Sequence, residues 1–443
     1  MYQQVLYHRI GLAQRVRWHR QTGEHFAKVY GKHTQEVAGE LAFHFERGRE
    51  YRRAILFRQE AGEYALQQNA YQKALEHGRA GIALLRQLPA TAERSQLELK
   101  LRQIIAAVLA MSRGFADDEL EENLQQTRQL CRELADEAAL VPVVIGLARL
   151  HLWRANRTEL EELTRQEESL AERVSDKQLL VQLYTQLAWI DLVRGKHVGV
   201  VAHYQHVRRH HDPQAHQGLL FSFVGDPLVV ALGASGVSLS LTGWLDRGWN
   251  DTAQGLVRAE NLHSPIIVAS ALLYAGMVTH LRGEYDEAWG LAQKMITLGH
   301  EYELSLIVTL GGLLQGGMAV QRYALEEGIA PLTTGLARHR DMGVHLLTPY
   351  VLSFLAEGYR QQGQIAEALH AVHEALDLTA TNFDVFWEAE LHRLKGELTL
   401  AQSSVQRLAS SSIEKVEVVK PGFINFWISK EYLIDSLSKV QLL

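Results

Sequence analysis

Histidine is the residue this chain offers most freely to chemistry, with 21 among 443 residues. His203, His206 and His210 fall at i, i+3 and i+7 on one helix face, with His211 and His216 close behind. Imidazoles so spaced would hold a tetrahedral Zn²⁺ if a fourth ligand converged. Helical spacing gives adjacency without closing the tetrahedron, so the expectation is a polar, partly exposed face and no metal. The zinc-protease pattern H-E-x-x-H fails twice, because Leu304 follows His300-Glu301 and Asp377 follows His373-Glu374 where the second histidine belongs. A G-x-S-x-G nucleophile elbow fails at Val237, after Gly233-Ala234-Ser235-Gly236. Neither Gly31-Lys32 nor Gly195-Lys196 has the earlier glycine or the following Ser/Thr of a phosphate-cradling loop. Gly311-Gly312 and Gly316-Gly317 lie in an apolar run and read as helix packing. The neighbouring acids Asp117-Asp118 and Glu161-Glu162 diverge on a helix and read as solvated carboxylates. No catalytic, cofactor-binding or metal-binding residue is therefore expected, and the chain is read as no enzyme by itself.

The elements that would position any site are helices. Apolar residues make up 47% and charged residues 22%, the range of a folded soluble protein, while only 8 prolines occur. The net charge of −6 lacks the electrostatic footprint of a dedicated nucleic-acid binder, and the arginines Arg15 to Arg53 are interleaved with acids. The single cysteine, Cys131, lies between Leu130 and Leu134 and reads as a small buried residue; it excludes an internal disulfide framework and points to a reducing compartment. The N-terminus lacks a signal-type apolar core, so the cytoplasm is the expected location. The stretches 227–245, 261–281 and 304–321 each run about a membrane span without Asp, Glu, Lys or Arg. Their Gly, Ser, His and Pro content fits buried helices instead, and no membrane is expected.

A repeated frame sets the fold. A small residue on a first helix is followed by a turn glycine, then an aromatic or apolar residue, then Ala. Its copies include Ala275-Gly276 with Gly283, Tyr285 and Ala288, and Leu355-Ala356 with Gly363, Ile365 and Ala368. Others are Leu187-Ala188 with Gly195 and Val200, and Gly248-Trp249 with Ala253. Anchoring on the second helix gives Leu160, Val200, Ala253, Ala288, Gly328 and Ala368, at intervals of 40, 53, 35, 40 and 40, the long one attributed to an insertion around positions 210–217. Periods near 40 belong to helix-pair repeats. Earlier anchors Ala54 and Ala74 are 20 apart, one helix-to-helix step. Gly283 and Gly363 would end first helices in a left-handed conformation, and Gly276 and Ala356 would let helices approach closely. No single pair can bury its apolar face, so the pairs must stack.

These residues resemble the tetratricopeptide family, which implies an all-α, tetratricopeptide-like α-solenoid of stacked antiparallel helix pairs. Longer blocks are similar to the C-terminal repeat region of bacterial signal-transduction ATPases, often fused to class III adenylate/guanylate cyclase or Ser/Thr kinase domains. They are QQVLYHRIGLAQRVRWHRQTGEHFAKVYG, EVAGELAFHFERGREYRRAILFRQEAGEYALQQNAYQKAL, HHDPQAHQGLLFSFVGDPLVVALG and FWEAELHRLKGELTL. The resemblance implies a winged-helix and linker remnant at 1–30, the helical repeat array at 31–402, and a divergent tail at 403–443. That tail holds one arginine and four lysines, against 32 and 8 in the preceding part of the chain, and VEVVKPGFINFWISKEYLI reads as extended; a frameshifted or poorly ordered tail is expected.

The family's inward positions nominate a concave groove for a protein or peptide partner. They are Gln182, Thr185 and Trp189; Met277 and His280; Tyr350, Ser353, Glu357 and Arg360; and Glu390, Arg393 and Glu397. The implied function is a protein-interaction and regulatory scaffold module of a signalling ATPase, non-catalytic alone, with an upstream ATPase or cyclase polypeptide as a second partner. The alternative is a fragment of a cyclase or ATP-binding ATPase that works only with upstream domains.

Overall fold

The computed structural model describes residues 10–212 and 226–402, and the backbone of 413–419 and 423–428. Positions 1–9 of the expected linker remnant, His216, most of the expected insertion, and the remainder of the tail lie outside the described residues.

The fold is all-α, a tetratricopeptide-like α-solenoid of stacked antiparallel helix pairs. In order, α1 (Leu12–Tyr30) precedes α2 (Ala38–Arg47), α3 (Tyr51–Gln67) precedes α4 (Tyr71–Leu84), and α5 (Ala92–Ser112) precedes α6 (Asp118–Glu133). Next come α7 (Glu137–Trp153) and α8 (Arg157–Arg173), then α9 (Lys177–Val193) and α10 (His197–His210). The later pairs are α11 (Pro227–Leu241) with α12 (Leu245–Leu262), α13 (Pro265–Leu281) with α14 (Tyr285–Glu301), and α15 (Ser305–Gln321) with α16 (Leu325–Asp341). Last are α17 (Thr348–Gln361) with α18 (Ile365–Thr381), then α19 (Glu388–Gln402). Beyond them β1 (Ile413–Val419) and β2 (Phe423–Ile428) pair antiparallel, Val419 opposite Phe423 and Val416 opposite Phe426, in the stretch read as extended.

The chain clusters into two compact units. The first comprises Met1–Leu150, Glu161–Gln186 and His206–Pro227. Here α1 seats Gly23 against the Phe45 ring, and Phe45 stacks on Phe57 with centroids 5.4 Å apart. Leu41, Phe45 and Ala54 form one fully buried cluster, and Ile55, Leu85, Leu97 and Leu101 the next. Each large side chain buried this way contributes roughly 1.5–3 kcal/mol over exposure. Asp117, expected as solvated, instead caps α6, its Oδ1 accepting the Leu120 N–H at 3.0 Å.

The second unit comprises His151–Leu160, Leu187–Gln205 and Leu228–Leu443. Its turns recur at one constant interval: Gly243, Gly283, Tyr323 and Gly363 all have positive φ, at 92°, 77°, 61° and 77°. The residues after them, Trp244, Glu284, Ala324 and Gln364, share φ near −90° and ψ near 60–70°. Each donates its N–H back across the turn, as Glu284 to Thr279 O at 2.9 Å and Gln364 to Tyr359 O at 2.9 Å. That bond satisfies a helix-end carbonyl, so the turn is a Schellman motif.

The structure corrects one anchor. Gly243 is the turn residue of its repeat, while Gly248 lies inside α12 where helices cross: a Cβ there would meet Gly236 O at 2.5 Å. Anchored on Gly248, Ala288, Gly328 and Ala368, the intervals are 40, 40 and 40, so the apparent 35 came from taking Gly248 as the turn glycine, while the interval from Val200 becomes 48 and stays the long one. Gly316 likewise approaches Gly328 O, and Gly276 approaches Leu314. Close approach explains why the three uncharged stretches are so rich in small residues. They hold α11, α13 and α15, and among the described residues no helix is long and apolar enough to cross a membrane.

Candidate functional site

Within the second unit, the loops entering α17 and α19 reach back to helices far earlier in sequence. His345 and Leu346 N–H both donate to Trp153 O, at 2.8 and 3.1 Å, and Val385 and Phe386 N–H both donate to Val193 O, at 2.9 and 3.2 Å. Trp153 and Val193 are the last residues of α7 and α9, whose terminal carbonyls have no intrahelical partner. From Trp153 to Val193 the acceptor advances by one repeat, and from His345 to Val385 the donor pair does the same, so this is one contact made twice. Phe383 adds to the second grip, lying under the guanidinium groups of Arg194 (4.2 Å) and Arg157 (5.0 Å). Asp384 Oδ2 accepts the Leu347 N–H at 2.6 Å, tying the two loops together.

This fixing of the 382–387 loop places Phe386 and Trp387 on the floor of a cleft of about 670 Å³. His280 at the end of α13, Phe354 on α17 and Tyr285 at the start of α14 complete the aromatic lining. The His280 centroid lies 5.0 Å from Phe354 and 5.7 Å from Trp387. Buried Tyr350 stands behind, its hydroxyl 2.9 Å from His280 Nδ1. Burial lowers the His280 pKa to about 4, so the ring is neutral, and burial raises Tyr350 so that its proton stays in place. A buried hydroxyl must use its proton. Tyr350 O–H therefore donates to His280 Nδ1, leaving the His280 proton on Nε2. Ser353 Oγ is occupied, donating to Tyr350 O at 2.6 Å and accepting the Trp387 Nε1–H at 2.9 Å.

Charge lies along the wall formed by α17 and α19. Arg360 grips Glu357 with Nε and Nη2, at 2.8 and 2.6 Å. Arg393 grips Glu390 the same way, at 2.7 and 2.6 Å, and spends Nη1 on Glu397 at 2.5 Å. Burial pushes the Glu357 carboxyl upward, but bonds from Arg360 and Gln361 outweigh it and hold Glu357 below its ordinary value. Tyr285 is raised, first by burial and then by the carboxylates Glu357 and Glu390.

The cleft thus gathers seven nominated residues: His280, Ser353, Glu357 and Arg360, with Glu390, Arg393 and Glu397. The other five lie in the interior. Gln182 and Thr185, in the first unit, are buried, and Thr185 Oγ1 is spent on Val181 O at 2.7 Å. Trp189 is buried edge-on against Trp153, and Met277 and Tyr350 are core residues. Tyr285, Phe354, Phe386 and Trp387 were missed as lining, because aromatic residues at helical spacing read as core.

No protein-family model matches the chain, and no curated protein matches it. A Rap protein complexed with competence and sporulation factor is similar in structure, with TM-score 0.51 and 11% identity over 78% of this chain and 99% of that one. The fold is the tetratricopeptide-like solenoid. Weaker likenesses are a signal transduction ATPase with numerous domains, carrying a tetratricopeptide repeat sensor, from Pyrococcus horikoshii (TM-score 0.39, 13% identity, 80% and 57% covered) and aspartyl phosphate phosphatase F from Bacillus subtilis (0.40, 12%, 80% and 93%).

Within that solenoid the other chemical candidates resolve as structure. His203 Nε2 lies 3.3 Å from Asp191 Oδ2, and His206 stacks on Tyr184 at 4.3 Å. Among the described residues no group of three metal-ligating side chains converges. Cys131 is buried, and burial, with Asp136 adding to it, pushes its thiol up to about 11, which leaves it unreactive.

Proposed function

We propose that this chain is a protein-interaction and regulatory module that holds a segment of a partner protein in the cleft between α13, α17 and α19. In the finer form of this reading it serves a bacterial signalling ATPase in the cytoplasm, and an upstream nucleotide-binding polypeptide is its second partner. The observation that carries it is the convergence on one cleft of an aromatic floor and a charged wall that successive repeats supply together. The wall's guanidinium groups are committed to neighbouring carboxylates, the histidine is neutral and the serine hydroxyl is engaged. That arrangement suits recognition by shape and hydrogen bonding. The similar Rap protein was solved with competence and sporulation factor bound, which agrees with this use of the fold.

Peptide display against the intact chain tests the reading. Selected peptides should lose binding at least ~10-fold when Trp387→Ala removes the floor, as a central aromatic anchor does. Enrichment indifferent to Trp387→Ala and Glu357→Ala would dismiss the cleft as the site. The alternative, a fragment of an ATP-binding enzyme, requires saturable binding of Mg²⁺-ATP in calorimetry, and the expected result is none.

A further inference from the structure

The charge on the cleft wall is lopsided. Its lining carries three carboxylates, Glu357, Glu390 and Glu397, against two guanidinium groups, Arg360 and Arg393. All three Arg393 nitrogens are spent on Glu390 and Glu397, and two of the three Arg360 nitrogens on Glu357. A carboxylate accepts about four hydrogen bonds. Glu397 accepts one, at Oε1, and its Oε2 receives none from the described residues; its side chain is 25% exposed. The wall therefore carries one negative charge more than positive, and Glu397 keeps an oxygen turned to no donor among the described residues, so it favours a further cation over an anion.

The floor narrows the kind of cation. Tyr285, Phe386 and Trp387 border the same cleft as the carboxylates, and a planar cation stacks on such rings while its edge forks onto a carboxylate. An ammonium ion is compact and more strongly hydrated, and gains less from both. The neutral His280, with Nδ1 held by Tyr350, presents Nε2–H as a donor for a carbonyl oxygen.

We propose that the cleft selects an arginine side chain from an extended peptide, with the guanidinium on Glu397 over the aromatic floor and a peptide carbonyl on His280 Nε2–H. This rests on the reading of the cleft as a peptide site and names what that site takes.

The probes are four peptides, acetylated and amidated, Gly-Ser-Phe-X-Ser-Gly with X as arginine, lysine, citrulline or glutamate, titrated into the full chain with binding read by isothermal calorimetry. Citrulline keeps the shape of arginine and removes the charge. The expected order is arginine, then lysine, then citrulline, with glutamate last. Arginine should lead citrulline by roughly 10-fold or more, the strength of a charged hydrogen bond. Glu397→Gln, which leaves Arg393 paired with Glu390, should abolish that lead. Equal binding of arginine and citrulline, or preference for glutamate, overturns the arginine assignment while the cleft remains a peptide site. Binding by none of the four overturns both.

Discussion

Asp384 is buried, with 1% of its surface exposed, and only Oδ2 has a partner, the Leu347 N–H at 2.6 Å; Oδ1 has none. Burial raises its pKa to about 7, opposed in part by that hydrogen bond. An unfolded aspartate titrates near ~3.9. Between these values the folded chain holds a proton that the unfolded chain has lost, so stability from this group is full below ~3.9 and disappears as pH rises through about 7. From about pH 5.5 to about pH 8.5, with a native value of about 7, the loss integrates to about 2 kcal/mol. Asp384→Asn stays neutral throughout and can still accept from Leu347, so its stability should lack that component. The assay is urea unfolding by far-ultraviolet circular dichroism at both pH values. The wild-type decline should exceed that of Asp384→Asn by about 2 kcal/mol, a difference from which all other titrating groups cancel. Parallel pH profiles would refute the assignment of a buried, protonated carboxyl that links the loops before α17 and α19.

Two sets of substitutions test the repeat register. Gly248→Ala places a Cβ 2.5 Å from the backbone oxygen of Gly236, which cannot move aside, and should destabilise by ~1–3 kcal/mol in urea unfolding as overpacking does; an unchanged midpoint would restore the turn-glycine reading of that residue. Tyr323 is 75% exposed at φ 61° in the slot that glycine fills in neighbouring repeats, so Tyr323→Gly should stabilise by ~0.5–1 kcal/mol while Gly283→Ala loses ~1 kcal/mol. The two changes moving the midpoint in the same direction would show that the turns are not equivalent.

What the sequence disclosed depended on how local the cause was. Gly283 and Gly363 were legible as turns because positive φ has one cheap residue, whereas Tyr323 was invisible because an expensive residue occupies the same conformation. Glu357, Arg360, Glu390 and Arg393 were reached by carrying over the family's inward positions, and they do line the cleft. Trp189 and Met277 held comparable positions in their own repeats and are nonetheless buried. Trp189 packs on Trp153, whose carbonyl receives the N–H groups of His345 and Leu346 from far along the chain. Backbone donors carry no side-chain signature, so nothing in His345-Leu346 or Val385-Phe386 announces the grip. Its separation is set by the sum of small rotations between successive repeats, which periodicity alone does not supply. The two grips enclose equal lengths of chain, one from Trp153 to His345 and the other from Val193 to Val385, so the interval from Val193 to His345 is common to both. A one-residue change of helix length within it displaces both grips together, and with them the Phe386–Trp387 floor. The cleft is therefore a property of the summed repeats, while the charge on its wall comes from a few side chains of α17 and α19.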